Sequence, residues 1–163
     1  MAVIEDRDLG WKRIKRQMKM LDKSHTKVGL PKKAKPKSGH ASDMSELVIV
    51  GAVHEFGAPK VHVPKRSWLR TGSDEAIPTL NRLIQKEYAE VLAGRSTVRR
   101  SLDVLGVFMV GRIKRKIRAI KFPPLRPSTL RKKTKGGKVG NNPLIDTGQF
   151  IQSIAHQKVI KKK

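Results

Sequence analysis

The stretch Pro143-Leu-Ile-Asp-Thr-Gly-Gln-Phe-Ile-Gln-Ser-Ile154 is the least basic segment in the second half of the chain. It follows a run, Val104 to Ile145, that contains no acidic side chain. Asp146 is thus a lone carboxylate in a strongly positive neighbourhood. Asp146 and Thr147 are good N-cap residues, and Gly148 lets the chain turn tightly before Phe150, Ile151 and Ile154. The segment reads as a turn that fastens the last short element to a core, and the preceding chain supplies what the turn closes.

What it closes is mostly helix. Thr97 or Ser101 opens a pattern in which Val98, Leu102, Leu105, Met109, Ile113, Ile117 and Ile120 recur every three or four residues. The pattern stops at Phe122-Pro123-Pro124, which cannot continue it. Gly106 and Gly111 weaken this helix and mark close packing against another element. Upstream, Ser73 as N-cap with Asp74 and Glu75 in the first turn predicts a helix to Gly94, irregular near Pro78. Its apolar face is Ile77, Leu80, Ile84, Tyr88, Val91 and Leu92.

Nearer the start, Leu9, Trp11, Ile14, Met18 and Leu21 predict a one-faced amphipathic helix over 6–21, packed on the core with its basic faces in water. Asp6 and Asp8 sit at its positive end. Lys27 to Leu30 reads as a short strand stopped by Pro31. Ser45 to Phe56 is apolar enough for a strand by propensity, or for a short buried helix ending at Gly57. Pro59 to Arg70 is irregular, with Val61, Val63, Trp68 and Leu69 as anchors. Pro127-Ser128-Thr129-Leu130 suggests a single helical turn, and Ser153 to Ile160 a final strand. Two Lys-rich stretches, about 31–44 and 131–142, are expected to be mobile loops, and 161–163 a frayed tail.

The expected fold class is therefore α+β. A small antiparallel sheet packs with two long helices, about 73–94 and 97–121, and with the N-terminal amphipathic helix. At 163 residues, 37% of them hydrophobic and 4% aromatic, the apolar material suits one domain over 1–163. No apolar run approaches the length of a membrane span. The opening residues lack the basic-then-apolar order of a signal peptide, and there is no cysteine, so cytoplasmic synthesis is expected.

The net charge of +24 implies attraction to polyanions: DNA, RNA, a membrane surface or an acidic protein face. The densest basic surface combines Arg112, Lys114, Arg115, Lys116, Arg118 and Lys121 with Arg131, Lys132, Lys133 and Lys135. No RNP aromatics, zinc-finger ligands or basic zipper are present, so any DNA contact would be to phosphates and indifferent to sequence.

Nothing in the sequence indicates catalysis. His54-Glu55 does not extend to His-Glu-x-x-His, because Ala58 stands where the second histidine would be. A metal site from His54, His62 and Asp146 is the remaining combination, against the simpler reading of satisfied or exposed histidines. Gly136-Gly137-Lys138 lacks the upstream glycine and the following Ser or Thr of a phosphate loop. Neither cofactor nor metal is expected.

Three motifs in order carry a family resemblance. They are Val53-His-Glu-Phe-Gly-Ala58, then Val63-Pro-Lys-Arg-Ser-Trp-Leu-Arg70, then Pro127-Ser-Thr-Leu130 followed by Pro143-Leu-Ile-Asp-Thr-Gly148 and Ser153-Ile154. Together they resemble the tail-completion and neck proteins of tailed bacteriophages, the lambdoid minor tail component and Mu/P2-type virion morphogenesis families. Ser67 stands where those families commonly have a second proline. The resemblance implies an antiparallel sheet with long helices packed on it and no enzyme activity. It also implies a homo-oligomeric ring, six copies by analogy, at the head–tail junction or the top of the tail. Neighbouring connector and tail proteins would be its partners, and genome DNA would pass through. Glu55, Phe56, Arg66, Trp68, Leu69 and Arg70 would then serve the subunit interface, with Glu55 pairing Arg66 or Arg70 within the subunit or across the ring; Trp68 as a core residue alone is the alternative. Asp146, Thr147 and Gly148 would be the structural turn.

Overall fold

The structure, a computed structural model, describes residues 10–31, 43–135 and 141–160, with the side chains of Thr134 and Lys135 outside that description. Within these residues the chain is α+β: several helices around one two-stranded antiparallel sheet.

Helix α1 (Trp11–Lys23) begins after Gly10, so Asp6, Asp8 and Leu9 lie outside the described residues. Its contact face is not the expected stripe. Trp11 and Met18 are exposed, with the Lys15 ammonium over the Trp11 ring, while Ile14, Gln17, Met20 and Leu21 are half-buried. Polar contacts anchor α1 beside the packing of Met20 and Leu21. The Arg13 guanidinium donates to the Gly94 carbonyl, and Gln17 Oε1 accepts the Val98 N–H at 3.0 Å.

Strand β1 (His25–Gly29) pairs with β2 (Ala155–Val159) in the register His25↔Val159 to Gly29↔Ala155. Helix α2 (Met44–Phe56) takes the helical alternative for its apolar run. Asp43 Oδ1 accepts the Glu46 N–H at 2.9 Å, and Gly57, at φ 80°, ends the helix where a Cβ would meet the Lys65 backbone at 3.0 Å. Residues 32–42 of the first expected loop lie outside the described residues.

The expected helix over 73–94 is two helices. Helix α3 (Leu69–Asp74) is already under way at Ser73, which is therefore not a cap, and α4 (Ile77–Leu92) starts anew with Pro78 in its first turn. Proline lacks the N–H that a continuous helix needs there, and α3 has its own starting signal in Glu55. Helix α4 buries Ala76 and Val91 at its start and end, but Ile77, Ile84, Tyr88 and Leu92 face outward.

Helix α5 (Val98–Ala119) is the organising element. Thr97 caps it, and Ser101, Leu102, Gly106, Ile113 and Ile117 are buried along it. It packs against α3, α4 and both strands. Gly106 is where β2 crosses: a Cβ there would stand 2.4–2.9 Å from His156 side-chain atoms. Gly111 has open space instead, so only one of the two glycines marks a close approach.

Helix α6 (Pro127–Lys135) is longer than one turn and takes up the start of the second expected loop; 136–140 lie outside the described residues. A short helix α7 (Gln149–Ser153) replaces the first residue of the expected last strand.

The main core gathers Met44, Leu47, Trp68, Ile113, Ile117, Leu144, Phe150, Ile151 and Ile154. Burying each large side chain contributes roughly 1.5–3 kcal/mol before entropy is charged against it. A smaller cluster of Val91, Val98 and Leu102, with Met20, Leu21 and Ile160 against it, holds α1 and the end of the chain to the α4–α5 corner.

Candidate functional site

The C-terminal end of α2 faces the start of α3, and Glu55 sits between them, 6% exposed. Its carboxylate accepts the Ser67 hydroxyl at 2.7 Å and the backbone N–H groups of Trp68 (2.8 Å), Leu69 (2.8 Å) and Arg70 (3.1 Å). These are the N–H groups a helix start leaves without partners, so a carboxylate from another helix does the work of an N-cap. Burial raises the Glu55 pKa, but the Ser67 hydroxyl and the three N–H groups outweigh it and hold the carboxyl below its usual range. Ser67 supplies one of the four donors.

The expected ion pair between Glu55 and Arg66 or Arg70 is not made within the chain. The Arg70 side chain is exposed and only its backbone reaches Glu55. Arg66 is 5% exposed and turns the other way, donating from Nε to the Pro123 carbonyl (3.0 Å) and from Nη2 to that of Pro124 (3.2 Å). Backbone donors saturate Glu55, which leaves no geometric need for a guanidinium.

Trp68 is a core residue, not a surface anchor. It is 4% exposed, its indole N–H donates to the Gly51 carbonyl at 2.9 Å, and its ring meets Phe150 edge-to-face at 5.0 Å. Leu69 is half-buried against the same core. Of the six residues assigned to an interface, Phe56 and Arg70 are exposed.

The turn at Asp146-Thr147-Gly148 is present, but its cap differs. Gly148, left-handed at φ 78°, occupies the cap position of α7, and the Thr147 hydroxyl accepts the Gln149 N–H at 3.3 Å. Asp146 is not the cap, because the cap position lies two residues after it, at Gly148.

The basic surface divides. Arg115, Arg118, Lys121, Arg131 and Lys132 are exposed. Arg112 lies over the Phe108 ring and donates to Thr79 Oγ1 at 3.1 Å, and Lys116 pairs with Glu75. Lys133 donates to the carbonyls of Asn142 (2.9 Å) and Ile145 (2.6 Å). Lys114 is half-buried, and the Lys135 side chain lies outside the described residues. Asn142, which sequence reading passed over, makes this arrangement: its amide donates to the carbonyls of Ile117 (3.0 Å) and Arg118 (2.9 Å) at the end of α5. It thereby joins α5, α6 and the closing turn. Only its place in a polar Asn-Asn-Pro break hinted at such a role.

On the far side of α5, Asp103 accepts Lys158 Nζ at 2.5 Å and sits 3.1 Å from His156 Nε2. Those two hydrogen bonds hold its carboxyl below its usual range and pin β2 to the helix.

His54 and His62 line one cleft, but Asp146 is not among its walls, and no group of three potential metal-binding side chains occurs among the described residues. The proposed three-residue metal site is therefore not assembled. Burial, and then the nearby Arg66 charge, hold the His54 pKa below its ordinary value.

No protein-family model, curated protein or solved structure matches this chain.

Proposed function

We propose that this chain is a structural virion protein of the head–tail connector or neck region. In this reading copies form a homo-oligomeric ring, six by analogy with the families it resembles, that completes or terminates the tail and joins it to the head. The observation that carries it is the convergence of the three motifs on one structural unit. Glu55 of the first motif caps the helix opened by Trp68-Leu69-Arg70 of the second, and Trp68 shares the main core with Leu144 and Ile154 of the third. Motifs far apart in sequence thus define a single junction of α2, α3 and α7.

Two surfaces support an assembly role. Helix α2 has no Lys or Arg, although the chain carries +24, and it presents Val48, Ile49, Val50 and Phe56 to solvent. Helix α4 presents Ile77, Ile84, Tyr88 and Leu92. A helix apolar on its outer side as well as its inner one is suited to being covered by a neighbour. The exposed basic residues from Arg115 to Lys132 then face the DNA path or an acidic partner ring. The role is structural and needs no enzyme chemistry or cofactor. No helix among the described residues is long and apolar enough to cross a membrane.

Electron microscopy of the purified full chain, and of the tailed particles that contain it, tests the proposal. A ring of several copies at the neck is expected; a monomer absent from particles would refute it. The second reading, a free sequence-indifferent nucleic-acid-binding protein, draws on the exposure of Arg115, Arg118, Lys121, Arg131 and Lys132. Mass spectrometry of purified particles separates the two, since only a ring component is retained at fixed copy number.

A further inference from the structure

An open cleft of about 440 Å³ lies between the segment after α2 and the start of α6, with His54, His62, Arg66, Pro124, Arg126 and Thr129 among its walls. Its chemistry is one-sided: two guanidinium groups, two imidazoles and a hydroxyl, without a carboxylate. Arg66 is the anomaly. Its charge is almost wholly buried, and its hydrogen-bond acceptors are the neutral carbonyls of Pro123 and Pro124. Buried charges are ordinarily paired with an opposite charge, because desolvation costs several kcal/mol per ion. Arg66 has no such counter-charge among the described residues.

Two further observations point the same way. His54 Nδ1 is buried without a hydrogen-bond partner among the described residues. Thr129 lies in the first turn of the nine-residue α6, where helix N–H groups without intrahelical partners and the positive end of the dipole favour an anion.

We propose that this cleft binds a phosphate group, with Arg66 and Arg126 as its counter-charges and Thr129 and the start of α6 as hydrogen-bond donors. Donors arriving from two loops and a helix suit a tetrahedral oxyanion better than a planar carboxylate. The phosphate is either free inorganic phosphate or part of a nucleic-acid backbone. The site takes His54 from α2 but none of the exposed apolar side chains Val48, Ile49, Val50 and Phe56, nor any residue of α4, so it stands or falls independently of the ring.

The test uses the full chain. The histidine ring signals are followed by NMR while inorganic phosphate is titrated in, with sodium chloride at equal ionic strength as the reference. Binding is expected to be saturable and to raise the His54 pKa, while the ring signals of His25 and His156 do not respond to phosphate. Arg126→Ala and Thr129→Ala, both changes at exposed positions, are each expected to weaken phosphate binding about tenfold. Chloride reproducing the His54 shift, or Arg126→Ala binding phosphate like the parent, would overturn the proposal. A short DNA duplex identifies the source. Arg126→Ala weakening phosphate and duplex by the same factor assigns a backbone phosphate; weakening phosphate alone assigns the free ion.

Discussion

The backbone N–H of Trp68 donates to Glu55 Oε2 at 2.8 Å, so one carboxylate near the end of α2 starts α3 and sets the indole into the core. Glu55→Ala would strand three buried or half-buried N–H groups and the Ser67 hydroxyl at once. Hydrogen bonds to charged groups contribute about 1.5–3 kcal/mol, and stranded donors cost more. A loss of about 3 kcal/mol or more is expected in urea unfolding. Glu55→Gln, which keeps one acceptor oxygen, should lose about half as much. Equal stability of the alanine variant and the parent would remove Glu55 from this role.

The same residue sets an acid limit. The folded Glu55 pKa lies below the free value of 4.5, so its stabilisation is full above about pH 4.5 and is lost as pH falls through the folded value. His54 adds a step at higher pH. Its folded pKa is below 6.5, so its neutral form is favoured in the fold, and stability declines as pH falls from 6.5 towards the folded value. Melts between about pH 8 and pH 3 should show both steps. Glu55→Gln should flatten the lower one and His54→Gln the upper one.

Gly106 and Gly111 provide a paired test on one helix. Alanine is favoured over glycine in a helix interior by about 1 kcal/mol. At Gly111, with open space around it, that gain should appear as a Tm increase. At Gly106 the added methyl meets the His156 Cβ at 2.9 Å as well as its ring, and a Cβ cannot move without the strand. Gly106→Ala should therefore destabilise by about 1–3 kcal/mol. Two equal gains would mean that β2 does not press on α5 there.

These pairs also indicate what sequence could reveal. Local rules located α5, β1 and β2, because caps such as Thr97 and breakers such as Pro123 act within a few residues, but they left the α2 run open between strand and helix. They failed where a distant group supplied the start signal. Ser73 resembles a cap, but Glu55, twelve residues before Ser67, had already started the helix. The Trp68 reading turned on the same point: a motif rich in Arg and Trp suggests an interface until the indole is found against Phe150. In the basic surface, composition gave the sign of the charge. Which lysines are free depended on carbonyls of Asn142 and Ile145 that come together only in the folded chain.

The division of that surface is measurable. Arg115, Arg118 and Lys121 are exposed, so replacing all three by Gln should leave the fold within about 0.5 kcal/mol of the parent. If they contact DNA, the salt dependence of duplex binding should weaken by about three phosphate contacts, a log–log slope change of about 2.7. Lys133→Ala should behave oppositely. It should cost about 1–2 kcal/mol of stability by releasing two carbonyls, whatever its effect on DNA. An unchanged slope in the triple variant would leave the basic ridge to an acidic protein partner.

The proposed assembly places its interface on α2. Ile49 is 63% exposed and Phe56 68%, on the only described helix of more than ten residues that has neither Lys nor Arg. In a chain of this charge, copies repel almost everywhere else, so a basic side chain placed here should do more damage to association than one placed on α5. Ile49→Lys and Phe56→Lys remove exposed apolar area and bring a cation into the patch, while the inward Met44, Leu47 and Gly51 remain untouched. Thermal stability of the isolated chain should change by less than about 1 kcal/mol. In sedimentation at high salt, where charge repulsion is screened, the parent should form a closed oligomer and both variants should not. Parent-like oligomers from both variants would move the interface to the Ile77, Ile84, Tyr88 and Leu92 face of α4, where Tyr88→Lys is the corresponding test.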